Sequence, residues 1–96
     1  LDLAEQAGSL GPISELEQKL AADPADHQAR YDLAIALNAK NRREEALDHL
    51  LEIVRRNRTW NEDAARKQLV QFFDAWGPTD DMTVSGRRRL SSILFS

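Results

Sequence analysis

The chain predicts an all-α fold of stacked antiparallel helical hairpins, and three observations carry that reading. Apolar residues recur at three- and four-residue steps, the spacing that lines one face of a helix. No segment alternates polar and apolar residues as a strand would. The apolar pattern also repeats. An offset of 34 pairs Leu1 with Ile35, Leu3 with Leu37, Ile13 with Leu47, Leu16 with Leu50 and Leu20 with Val54. An offset of 36 pairs Leu33 with Leu69, Ala34 with Val70, Leu37 with Phe73 and Asn41 with Gly77. At about 40, Ala46 meets Gly86, Leu50 meets Leu90, Ile53 meets Ile93 and Val54 meets Leu94. The third copy is therefore stretched, and the sequence places the extra length mostly in its turn. About two and a half hairpins result, with five to six helices: a partial copy over 1–24, a full copy over 25–58 and a divergent copy over 59–96.

Each helix has its own end signals. Residues 1–7 read as the tail of a helix, Gly8 to Pro12 as a turn, and 13–22 as a helix. Asp23-Pro24 introduces the next one, 26–40, with Asp23 placed to cap free amides and Pro24 to occupy the first turn. Asn41 breaks the chain before helix 43–57, whose start Glu44 favours. Thr59-Trp60-Asn61-Glu62 fits a capping box opening a helix to about residue 75. Gly77-Pro78 stops it, and Thr79-Asp80-Asp81 begins the last helix, which runs to about Phe95. Where the backbones of a hairpin come closest, small residues are needed. Ala34 and Ala46 fill those places, Gly86 takes the corresponding place in the last hairpin, and Leu33, Leu37, Leu50 and Val54 form the layer between. One hairpin cannot cover its own apolar faces, so neighbouring copies must stack.

Ninety-six residues suit one small domain, and the charged and hydrophobic fractions of 30% and 42% are those of a globular chain. A net charge of −3 supplies no overall attraction for nucleic acid or an anionic membrane. No apolar run approaches the roughly 20 residues that span a bilayer. Without cysteine there is no disulfide, thiolate nucleophile or thiolate metal site. The chain opens on Leu1 with neither an initiator Met nor a recognisable signal peptide, and it is expected to be a piece of a longer protein.

No catalytic constellation emerges, and the chain reads as a non-enzyme. His27 and His49 follow Asp26 and Asp48 directly, and sequence neighbours point in different directions on a helix; both read as surface histidines. There is no glycine-rich phosphate loop, no metal-ligand spacing, no cofactor and no small-molecule substrate. Arg55, Arg56 and Arg58 end one helix and Arg87, Arg88 and Arg89 run inside another. Cations near a helix C-terminus favour its dipole, and three consecutive helical residues spread over about 300°, so nucleic-acid binding is the weaker reading.

The period of 34 and the pattern Leu33-Ala34, Leu37, Asn41, Ala46, Leu50 and Ile53, after Asp23-Pro24, resemble the tetratricopeptide repeat. The likeness is good over 1–57 and looser over 58–96. Arg30 stands where that family often has Trp, Asn41 where it often has Gly, and Arg58 where a repeat-end Pro is usual. More narrowly, residues 23–78, from "DPADHQARYDLAIALNAKNRREEALDH" to "FFDAWGP", followed by "GRRRLSSILF", resemble the C-terminal portion of thioredoxin-like co-chaperones of the YbbN or chaperedoxin type. That resemblance implies a bacterial cytoplasmic protein with an upstream thioredoxin-fold domain. Its implied partners are chaperonin, a DnaK-type chaperone or unfolding client proteins. Redox chemistry would belong to the upstream domain.

The tetratricopeptide resemblance also implies a concave binding groove formed by the first helix of each repeat. In this register its inward positions are Gln28, Tyr31, Asp32, Ile35 and Asn38 in the second copy, and Lys67, Gln71 and Asp74 in the third. That mixture is neither a Lys/Arg carboxylate clamp nor an apolar trough. Tyr31 and Ile35, four apart, either anchor a peptide or pack on a neighbouring repeat. Trp60 and Trp76 read as plugs at the repeat junction and helix end, and of Phe72 and Phe73 only the second is expected to point fully inward. The last helix ends in Leu90, Ile93, Leu94 and Phe95. Ile93, Leu94 and Phe95 are a second candidate partner site, unless the stretched turn 77–83 folds over them. A homodimer through Leu1 and Leu3 or through the last helix is the alternative.

Overall fold

Two residues 36 positions apart set the breaks of the chain: Asn41, with φ of 62°, and Gly77, with φ of 101°. Both sit where a helix ends and an L side chain is ordinarily unfavourable. At Asn41 the amides of Asn41 and Arg42 reach back to the carbonyls of Asn38 and Leu37, both at 2.9 Å. This is a Schellman closure with Asn in the place usual for Gly. The computed structural model describes residues 13–95. It contains α1 (13–22), α2 (His27–Ala39), α3 (Arg43–Arg56), α4 (Ala64–Trp76) and α5 (Asp81–Phe95), and no strand among the described residues. The expected helix and turn at 1–7 and 8–12, and the residues Leu1 and Leu3, lie outside them.

The hairpins α2–α3 and α4–α5 stack in series: α3 packs against α2 and against both helices of the following hairpin. This explains why α3 buries six residues, Ala46, Leu47, Leu50, Leu51, Ile53 and Val54, too many for one narrow stripe. Ala34 and Ala46 are fully buried, as the hairpin requires. Gly86 holds the equivalent place in α5. A Cβ there would lie 2.6 Å from Phe73 Cε1 and 2.8 Å from Leu47 Cδ1, so only glycine allows this approach.

Several local expectations are corrected. Asp26, not Asp23, caps α2, its carboxylate accepting from the Ala29 amide at 3.0 Å; Asp23 instead holds the preceding turn through the Ala25 amide at 3.1 Å. At the start of α3 no side chain among the described residues caps the helix, and Glu45 rather than Glu44 makes the local contact, pairing with Arg42 at 2.6 Å. The Thr59 capping box does not form. Residues 58–63 are turns, Asn61, Glu62 and Asp63 are all left-handed (φ 48°, 57° and 65°), and α4 begins only at Ala64.

That junction, 57–63, takes seven residues where 23–26 takes four, and it accounts for most of the stretch assigned to the last turn. The α4–α5 turn spans only 77–80, and α5 is already helical from Asp81. Asp80, whose carboxylate accepts from the Met82 amide at 2.8 Å, opens α5. Both phenylalanines are buried, Phe72 at 4% exposure and Phe73 at 3%, because α4 has neighbours on two sides. Phe73 meets Gly86, and Phe72 stacks on Trp76 one turn later at 5.3 Å between ring centroids.

A candidate protein-binding groove

The first helices of the two complete hairpins, α2 and α4, are joined by side chains one repeat apart. Tyr31 donates its hydroxyl to Gln68 Oε1 at 3.1 Å, and Trp76 donates its indole N–H to Asn38 Oδ1 at 3.1 Å. Separations of 37 and 38 residues match the length of a repeat. Around the first seam Trp60 lies 5.6 Å from the Tyr31 ring and 6.0 Å, edge-on, from His27. Around the second, the Arg43 guanidinium sits 5.4 Å over the Trp76 ring and reaches Asp80 at 3.0 Å, again 37 residues away. This guanidinium, then the Met82 amide, holds the Asp80 carboxyl below its usual range.

The predicted groove residues divide accordingly. Tyr31 and Asn38 are half-buried seam residues. Ile35, at 41% exposure, is a free apolar side chain on α2, flanked by exposed Gln28 and Asp32, which bond each other at 2.9 Å. Lys67, Gln71 and Asp74 are exposed at i, i+4 and i+7 on α4 and share one face. The result is a mixed-polarity surface with two exposed apolar side chains, Ile35 on α2 and Val70 (44% exposed) on α4, and charges of both signs. Its chemistry suits side-chain recognition of a protein segment.

The chain matches the family model for the tetratricopeptide repeat over residues 6–95. It belongs to the tetratricopeptide-repeat family. Searches among curated proteins and among solved structures return no match. Tetratricopeptide repeats generally mediate protein–protein interaction and are typically non-enzymatic. No described helix is long and apolar enough to cross a membrane, and no group of metal-ligating side chains occurs among the described residues.

The terminal candidates of this tetratricopeptide array separate. Ile93 and Leu94 pack partly against the core, and the Ile93 carbonyl accepts from Arg58 at 3.4 Å; Phe95 is 83% exposed. Trp60 and Trp76 are partly buried plugs, as their positions suggested, but each also completes a seam of the groove. Neither histidine is a plain surface residue. His27 Nδ1 is buried without a partner among the described residues, and His49 is half-buried beside Arg30, Nη1 to Nδ1 3.4 Å. Burial, then the Arg30 charge, pushes the His49 pKa down.

In the first arginine cluster Arg55 and Arg56 share a single carboxylate, Glu52, and Arg58 turns to the Ile93 carbonyl. Gln68, Trp60 and Arg43 were missed as groove residues by sequence alone. The available signal was the repeat itself, since residues one repeat apart face each other across the stack.

Proposed function

We propose that the array is the protein-interaction module of a thioredoxin-like co-chaperone in the bacterial cytoplasm, made of a partial repeat (1–24), a full one (25–58) and a divergent one (59–96). It presents the α2–α4 face to chaperonin, to a DnaK-type chaperone or to an unfolding client. Gln28, Asp32 and Ile35 contact the partner from one wall, and Lys67, Gln71 and Asp74 from the other. Tyr31 and Asn38 hold the walls in register. Ile93, Leu94 and Phe95 at the last helix add a second contact.

One observation carries the reading: the hydrogen-bonded seams Tyr31–Gln68 and Asn38–Trp76 fix two parallel rows of side chains while leaving Ile35 exposed between polar neighbours. An exposed apolar side chain on a rigid, largely polar face is the kind of anchor around which binding energy concentrates. The co-chaperone assignment is supported by the likeness of residues 23–78 and 86–95 to that family.

Binding of purified chaperonin to the whole protein, measured by calorimetry with wild type, Ile35→Ala and Lys67→Glu, tests it. Affinity should fall at least tenfold in either variant with unchanged thermal unfolding. Equal affinity in all three removes the groove from the interaction.

A further inference from the structure

Along α5 the buried residues Thr83, Gly86 and Leu90 mark the inward stripe, and Arg89 leaves sideways to Asp48 on α3, Nη2 to Oδ1 2.7 Å. Beside it runs an exposed stripe about 100° wide, Val84, Arg87, Arg88, Ser91 and Phe95, which recur at three- and four-residue steps, with Arg87 at its inner edge and Arg88 at its outer edge. Val84 is 44% and Phe95 83% exposed, and they stand about 16 Å apart along the axis. Arg87 and Arg88 lie between them, exposed and with no ion pair among the described residues. Arg42, Arg43, Arg55, Arg56, Arg66 and Arg89 each have one, and Arg30 and Arg58 bond the carbonyls of Pro24 and Ile93. An acidic chain therefore keeps two uncompensated guanidiniums on a face with an apolar residue at each end.

We propose that this face of α5 docks an acidic amphipathic helix of a protein partner, with apolar side chains over Val84 and Phe95 and carboxylates between them against Arg87 and Arg88. Charge complementarity selects the occupant, because guanidinium forks match carboxylates bidentately. The helical form follows from the surface: contacts spaced over about three turns of a straight helix fit the side of another helix laid along it. Phosphate polymers and anionic bilayers fit less well. Two arginines neutralise few phosphates, and the net charge of −3 repels an extended polyanion. The surface is separate from the α2–α4 groove; it shares Phe95 with the terminal contact proposed above, and Arg87, Arg88 and Val84 are its own.

The test uses two synthetic 15-residue helical peptides with Leu placed to meet both apolar ends and either Glu or Lys between. Binding to this chain is followed by fluorescence anisotropy at low and physiological salt. The Glu peptide should bind at least tenfold more tightly than the Lys peptide, and more weakly as salt rises. R87E/R88E should invert the preference, Phe95→Ala should weaken binding severalfold, and Ile35→Ala should leave it unchanged. Circular dichroism checks that the variants, all at exposed positions, keep their helices. No binding of the Glu peptide, equal binding to R87E/R88E, or tighter binding to phosphatidylglycerol vesicles or polyuridine than to the Glu peptide would each overturn the proposal.

Discussion

Gly86 lies directly against Phe73: a Cβ built on it falls 2.6 Å from Cε1 and 2.9 Å from Cζ of the ring. A glycine inside a helix normally costs about 1 kcal/mol relative to alanine, so its presence at mid-α5 reflects the close crossing with α4. Gly86→Ala should therefore destabilise the fold by about 1–3 kcal/mol, the range for overpacking, against its propensity gain. Urea unfolding measures it. An increase in the midpoint would mean that α4 and α5 are not in contact there.

Thr83 in the first turn of α5 is completely buried, and its hydroxyl has no hydrogen-bond partner among the described residues. A buried unsatisfied polar group carries a desolvation penalty of about 1–3 kcal/mol. Thr83→Val keeps the shape and removes the hydroxyl, so stability should rise by about 1 kcal/mol, or about 4–8 °C in Tm for a domain of this size. Thermal unfolding followed by circular dichroism reads the change, and a lower Tm would reveal a partner for the hydroxyl.

Asn41 closes α2 with φ of 62°. Asn tolerates this region through its short polar side chain, glycine adopts it freely, and a β-branched residue does not. Asn41→Val should lower stability by about 1–2 kcal/mol while Asn41→Gly leaves it unchanged or raised. Parallel chemical denaturation of the pair separates backbone strain from loss of the amide.

His49 gives the fold a pH dependence near neutrality. Its folded pKa lies below the ordinary 6.5 through burial and then Arg30; Asp48, Glu45 and Glu17 oppose the shift. A group with a depressed folded pKa favours the neutral form in the native state. Its contribution is present above 6.5 and is lost as pH falls from there through the folded value. Stability should decline over that interval in wild type and stay flatter in His49→Gln. Asp80, depressed by Arg43, adds its own decline only in the more acidic carboxylate range. Denaturation midpoints from pH 7.5 down to pH 2 follow both steps.

The helices and the hairpin breaks were legible because their causes are local. Leucine spacing, Asn41 and Gly77-Pro78 act within a few residues, and the recurring small positions Ala46 and Gly86 report directly on helix approach. The α3–α4 junction was not legible. The Thr59 pattern satisfies the local rule, but Trp60 is held against Tyr31 and His27 from α2, and the chain reverses through three left-handed residues before α4 starts. The groove positions followed from the repeat register, yet the division between Tyr31 and Asn38 as seam and Ile35 as exposed surface depends on partners about 37 residues away. In the same way Arg89 looks like Arg87 and Arg88 until Asp48 on α3 removes it from their face.

The central claim is serial stacking that places α2 beside α4 and builds the groove. The most direct measurement is a nuclear Overhauser spectrum of the labelled chain, examined at the Trp76 indole proton and the Tyr31 ring. Cross-peaks from Trp76 to Asn38 and from Tyr31 to Trp60 and Gln68 are predicted. Their absence, with cross-peaks instead joining α2 to α5 around a closed bundle, would contradict it.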